Sequence, residues 1–134
     1  MAVKKGLIHH IEVNVSNLEK SCRFWEWLLE NELGYEMFQK WGKGRSWKLN
    51  DSYLVFCQTE ERYLNAHYHR CQTGLNHLAF HAESKEQVDA IAKQLEHRGI
   101  PLLYKDKHPY AGGNGHYAVY FEDPDRIKVE IVAP

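Results

Sequence analysis

A single pattern recurs in this chain at a spacing of 67 residues, from His10 to His77, and it limits the fold more than any other feature. In the first copy, residues 7–15 alternate, with Ile11, Val13 and Val15 on one side and His10, Glu12 and Asn14 on the other. A side-chain period of two makes that run a half-buried strand. Ser16 or Asn17 then offers a helix N-cap, and Leu18, Cys22, Trp25, Leu28 or Leu29, and Leu33 recur at helical spacing until Gly34. Three short strands follow at residues 35–40, 46–49 and 53–58, with Gly42 and Gly44 at the first turn and Asn50-Asp51 at the second. The second copy runs the same way. Residues 75–81 alternate, with His77, Ala79 and His81 opposite Leu78 and Phe80. Ser84 and Gln87 form a capping box, and Val88, Ile91, Ala92 and Leu95 make a helical stripe ending at Gly99. A strand at 100–104 and a hairpin over 115–132 complete it. The predicted class is α+β, with two βαβββ modules at about residues 7–58 and 74–132 and residues 59–73 between them. One domain spanning 1–134 results, its paired mixed sheets turning their helix-free faces towards a common cleft.

The hairpin carries the residue of greatest chemical interest. Two β-rich runs flank Asp123-Pro124-Asp125, where Pro124 presets a turn and the aspartates bond the local backbone. In the second run Glu130 lies between Val129 and Ile131, so it points away from the face they share with Ile127. Either that face is simply wet, or Glu130 lines a cavity. If the modules pair as their repetition suggests, His10, His77 and Glu130 share the cleft face. Two imidazoles and one carboxylate suit a divalent ion with open coordination positions; taken singly, each also fits a structural residue on a strand.

Charge excludes several other roles. Net charge is −1 at pH 7, with no basic stripe, so nucleic acid is not an expected partner. No apolar run approaches the ~20 residues of a membrane span, and the N-terminal residues lack the apolar core of a signal peptide; a soluble, cytoplasmic protein is expected. Cys22, Cys57 and Cys71 are odd in number and unpaired in spacing, which argues against disulfides or a thiolate zinc site.

Several motifs together resemble the vicinal oxygen chelate superfamily, which includes glyoxalase I, extradiol dioxygenases, fosfomycin-resistance thiol transferases and bleomycin-resistance proteins. They are the run from His10 to Ser21 with Phe24-Trp25, the run from Gly74 to Phe80, and Phe121-Glu122-Asp123-Pro124-Asp125 leading to Val129-Glu130-Ile131. The likeness spans nearly the whole chain and suggests a small bacterial glyoxalase-like member. It implies a metal in the cleft held by His10, His77 and Glu130: one divalent ion, with iron, manganese, nickel and zinc all open. It further implies a small-molecule substrate, lyase, isomerase or dioxygenase chemistry, and a homodimer. Glyoxalase I-like members carry a fourth ligand, a catalytic carboxylate, on the last strand of the first module. Alignment places Phe56 there, which puts ordinary glyoxalase I isomerisation in doubt. Glu12, two residues from His10, is a candidate substitute base, and His116 a candidate acid or base. Phe56, His81, Tyr117 and Tyr120 are candidates for contact with substrate. The competing expectation is a metal-free binder of a flat ligand, of the bleomycin-resistance kind. The glycine-rich run 110–115 precedes no helix and so is not a phosphate cradle; a mobile lid and an ordinary loop are both open for it.

Overall fold

A computed structural model describes residues 4–134 and divides the chain into two compact units, the first ending at Ala66 and the second beginning at His67. The first unit holds a four-stranded mixed sheet in the order β1-β4-β3-β2, with β1 at His10–Val15, β2 at Glu36–Trp41, β3 at Gly44–Leu49 and β4 at Ser52–Gln58. β1 and β4 run parallel, His10 opposite Tyr53, and the remaining pairs are antiparallel. Helix α1, Leu18–Glu26, connects β1 to β2 and starts where the Asn17 side chain accepts the Lys20 amide at 3.1 Å. The predicted helix continues to the expected end, but its last part, Trp27–Glu32, widens into π-helical turns closed by Leu33 N to Leu28 O.

Burial follows the alternation of two. Val15, Phe56 and Trp47 are fully buried with Trp25, Leu28 and Leu29. Phe56 stacks on Trp25 with ring centroids 4.7 Å apart and meets Trp47 edge-on at 5.9 Å. This corrects the alignment of Phe56 with a ligand or substrate position. Phe56 pairs with Val13 across the sheet, so its ring belongs to the α1 side. The side chains of β4 that share the His10 face are Tyr53, Val55 and Cys57.

The second unit is built on β5 (His77–His81), α2 (Lys85–His97), β6 (Ala118–Glu122) and β7 (Lys128–Val132), with sheet order β5-β7-β6. Ser84 caps α2 by accepting the Gln87 amide at 3.1 Å, while the Gln87 side chain accepts from the Glu83 amide. Val88, Ile91 and Leu95 of α2 are fully buried, as are Val119, Phe121, Val129 and Ile131. The α+β class and the β-α-β plan hold in both units. The strand expected at 100–104 does not form. Pro101 has no amide hydrogen to donate, and Tyr104 adopts φ 55°, which ends extended backbone; one bond, Leu103 N to Tyr120 O, marks where a fourth strand would lie. The β6–β7 turn is closed by the buried Asp123, whose carboxylate accepts the amides of Asp125 and Ile127 at 2.8 Å each. Arg126 takes φ 68° there, a backbone conformation that glycine adopts without strain.

The register predicts a contrast between neighbours on β4. Phe56→Ala empties a filled, ring-stacked site and should cost about 3–5 kcal/mol in urea unfolding, whereas Tyr53→Ala, on the other face, should cost well under half of that. Equal losses would contradict the assignment of faces.

Candidate functional site

In the second unit the structure gathers a buried carboxylate and its partners on the sheet face opposite α2. Glu130 is 5% exposed although it is ionisable, so its oxygens need partners. It has three. His77 Nε2 is 3.1 Å from Oε1, His116 Nε2 meets Oε2, and the Tyr120 hydroxyl bonds the same carboxylate. The sheet accounts for the placement: Glu130 pairs with Ala79, two residues after His77, and with Tyr120 directly across on β6. Burial, then the Glu130 charge and the hydrogen bond to it, push the Tyr120 phenol up to about 12, so it stays protonated and donates. Tyr104 meets the Tyr120 ring edge-on at 5.5 Å, and Lys128 Nζ reaches the Tyr104 hydroxyl at 2.9 Å.

His77 is held from both sides. Its Nδ1 lies 2.7 Å from Asn76 Oδ1, an acceptor, so Nδ1 carries the proton. In the neutral tautomer that leaves a lone pair on Nε2 facing the lone pairs of Glu130 Oε1. Two such atoms stand 3.1 Å apart only with a proton or a cation between them. The spacing fits an ion as well: two donors at right angles, each 2.0–2.2 Å from a metal, are separated by about 3 Å. An outer carbonyl on the second nitrogen is also the usual support of a metal-bound histidine. Among the described residues no three His, Cys, Asp or Glu side chains are gathered as a ready-made metal cage. His77 and Glu130 supply two members of the expected set.

In the first unit His10 lies on the exposed face of β1. Its Nδ1 is 2.9 Å from His9 Nδ1, and its ring stacks on Tyr53 at 4.7 Å with an interplanar angle of 3°. If His10 donates from Nδ1, its Nε2 is left as a donor atom for an ion. Phe38 extends the aromatic row at 5.1 Å from Tyr53, and Lys48 Nζ sits 4.6 Å over Phe38. Glu12 neighbours His10 on the same face and accepts from the Cys57 thiol at 3.5 Å; burial and Glu12 push that thiol up to about 11.

Of the other predicted residues, His81 ends β5 and is exposed. Tyr117 corrects the expectation: it turns to the α2 side, where its hydroxyl donates to Asp89, its ring meets Tyr110 edge-on and Lys85 lies over it. The reason is alternation, which gives Tyr120 rather than Tyr117 the Glu130 face. An open groove of about 480 Å³ in this unit lies elsewhere, between α2 and residues 99–108. Sequence reading passed over Asn76, Tyr53 and Gly112. Asn76 was legible as the polar neighbour of a candidate ligand; the other two depend on ring and loop packing that no pattern encodes.

The register also locates the position that corresponds to Glu130 in the first module. His77 pairs with Lys128, two residues before Glu130, and His10 pairs with Tyr53, two residues before Val55. Val55, 3% exposed, therefore stands where a first-module carboxylate ligand would be, and a valine neither ligates nor accepts a proton.

The model of the glyoxalase/bleomycin resistance protein/dioxygenase superfamily matches residues 7–131. The chain belongs to this superfamily. Among similar proteins of the superfamily, the uncharacterized protein YqjT of Bacillus subtilis (strain 168) is 61% identical over 127 residues, covering 95% of this chain and 98% of its own. A glyoxalase-type protein of Bacillus halodurans, known from a crystal structure, is 58% identical with a TM-score of 0.95 over 97% of each chain. More distant is the glutathione transferase FosA of Serratia marcescens, 26% identical over 92% of this chain and 78% of that one.

The Cys57 environment gives a direct check. With its thiol held to about 11, Cys57 should alkylate at pH 8 roughly 100-fold more slowly than an unperturbed thiol at 9.0, because the thiolate is the reactive form. Glu12→Gln should speed it. A rapid, Glu12-independent reaction by peptide mapping would contradict the contact.

Proposed function

We propose that this superfamily member is a metal-dependent small-molecule enzyme in which His77, Glu130 and His10 hold one divalent ion. The observation that carries the proposal is the approach of His77 Nε2 to Glu130 Oε1, two donor atoms at ion-ligand spacing around a buried carboxylate. His10 is the third donor by the family pattern, and its Nε2 is available for the ion when Nδ1 donates to His9. When bound, the ion supplies a Lewis acid for a substrate chelated through adjacent oxygens.

The protein's own groups set the rest of the chemistry. Asn76 fixes the His77 tautomer, and Glu130 offers a negative charge already desolvated. Tyr120, protonated at neutral pH, is a donor on the same face. Val55 at the Glu130-equivalent position weighs against isomerisation by a ligated first-module carboxylate. Glu12, one strand over and directly paired with Val55, is the base we propose wherever a proton must be taken. Lyase, dioxygenase and thiol-transfer reactions are all compatible with a three-donor site, and the relationship to FosA makes glutathione a co-substrate worth assaying. We propose a homodimer as the working assembly.

A second reading has one observation in its favour. The row His10, Tyr53, Phe38 presents aromatic surface, with His10 stacked on Tyr53 and Phe38, 44% exposed, tilted 56° to it, and suits a flat ligand held without metal.

Elemental analysis and metal titration of the purified protein decide between them. The wild type should bind one divalent ion per chain. Glu130→Ala and His77→Ala should each lose more than the roughly 10–100-fold in affinity that removal of an outer-shell partner costs. A wild type that takes up none of iron, manganese, nickel or zinc would overturn the enzyme reading and leave flat-ligand binding.

A further inference from the structure

The glycine-rich run 110–115 packs, through Gly112, against two of the side chains that bond Glu130. Gly112 lies against His116 and Tyr120: a Cβ built on it would fall 2.4 Å from His116 Cδ2 and 2.6 Å from the Tyr120 hydroxyl. Side-chain atoms essentially never approach so closely, so any larger residue here must push one or both of these groups aside. His116 and Tyr120 are the two side chains that, besides His77, bond Glu130. The backbone ties them down further. His116 N donates to Gly113 O, Ala118 N donates to Pro109 O, and the Tyr120 carbonyl accepts Leu103 N at 2.8 Å. The Tyr120 ring itself is 7% exposed.

We infer that Gly112, His116 and Tyr120 form a clamp that orients the Glu130 carboxylate: His116 occupies Oε2, and Oε1, the oxygen facing His77, is left to serve as the donor. His116 and Tyr120 are thus positioning residues, and Gly112 is the small residue that lets them sit side by side. The glycine-rich run works as a fixed wedge behind a ligand, neither a lid nor a phosphate cradle. A carboxylate free to rotate offers both oxygens to an ion; one with an oxygen engaged by an imidazole offers one, in a fixed direction, and binds with less ordering cost. The inference rests on the metal-binding reading of His77 and Glu130.

Co²⁺ alone is the probe, with affinity measured by chelator competition and coordination read from the visible spectrum of the bound ion. His116→Ala, Tyr120→Phe and Gly112→Ala should each weaken Co²⁺ binding by about 10–100-fold while stoichiometry stays at one per chain, as expected for outer-shell partners. The spectrum should shift as the carboxylate changes its mode of ligation. His116→Gln, which keeps a side-chain donor, should recover most of the loss. Gly112→Ala removes no polar group, so its effect isolates positioning, and far-ultraviolet circular dichroism confirms that each variant is folded. Affinities and spectra equal to wild type in folded variants would overturn the clamp. So would complete loss of Co²⁺ in His116→Ala without recovery in His116→Gln, because that makes His116 a ligand. If wild type itself binds no Co²⁺, the metal reading fails first; if Glu130→Ala alone abolishes binding, that reading stands and the clamp falls.

Discussion

A charged group buried in protein must be compensated, and the Glu130 carboxylate is the point on which the second unit's chemistry turns. Removing a carboxylate from water costs several kcal/mol unless hydrogen bonds or an opposite charge replace the lost hydration. Here three side chains from three places converge on it: His77 from the first strand of the unit, Tyr120 from the neighbouring strand, and His116 from the glycine-rich approach. Each is held by an independent contact, His77 by Asn76, Tyr120 by its buried ring and His116 by its backbone amide on Gly113 O. Such a cluster is a costly way to stabilise a sheet, since well-packed apolar residues do as well or better. On the metal-binding reading we propose, its physical sense lies in presenting a preformed negative donor next to an imidazole nitrogen.

The same face logic explains what distinguishes the two modules. In both, a histidine opens a strand that runs parallel to the last strand of its sheet, and the residue two beyond the histidine's partner sits at the equivalent place. That place is Glu130 in the second module and Val55 in the first. One module therefore brings a histidine with a carboxylate, and the other a histidine backed by aromatic rings. Glu12 stands directly opposite Val55 on the adjacent strand, where it accepts from the Cys57 thiol.

Much of this was legible in the sequence because period and capping are local. The alternation around His10, His77 and Glu130, the Asn17 and Ser84 caps, and the Asp123 turn all follow from neighbouring residues. The errors have physical causes of a different kind. Phe56 was aligned by family position, and a shift of one residue reverses a strand's faces; the aromatic stack on Trp25 settles which way it points. Tyr117 was named with Tyr120 for lying on the same run of chain, and an odd separation of three residues puts the two on opposite faces. The strand expected at 100–104 has the right residues, but Pro101 and the left-handed Tyr104 withhold the backbone geometry a ladder needs. The role of Gly112 was beyond reach of any pattern, because it consists of the space that a side chain would have filled.

We propose that His77 Nε2 and Glu130 Oε1 are two donors to one ion. Anomalous diffraction at the metal edge, on crystals of protein loaded with a divalent ion, tests it most directly. A peak is expected about 2.0–2.2 Å from both atoms, with His116 still engaging the other oxygen. A peak elsewhere in the chain, or none while these two atoms keep their direct 3.1 Å contact, would contradict it.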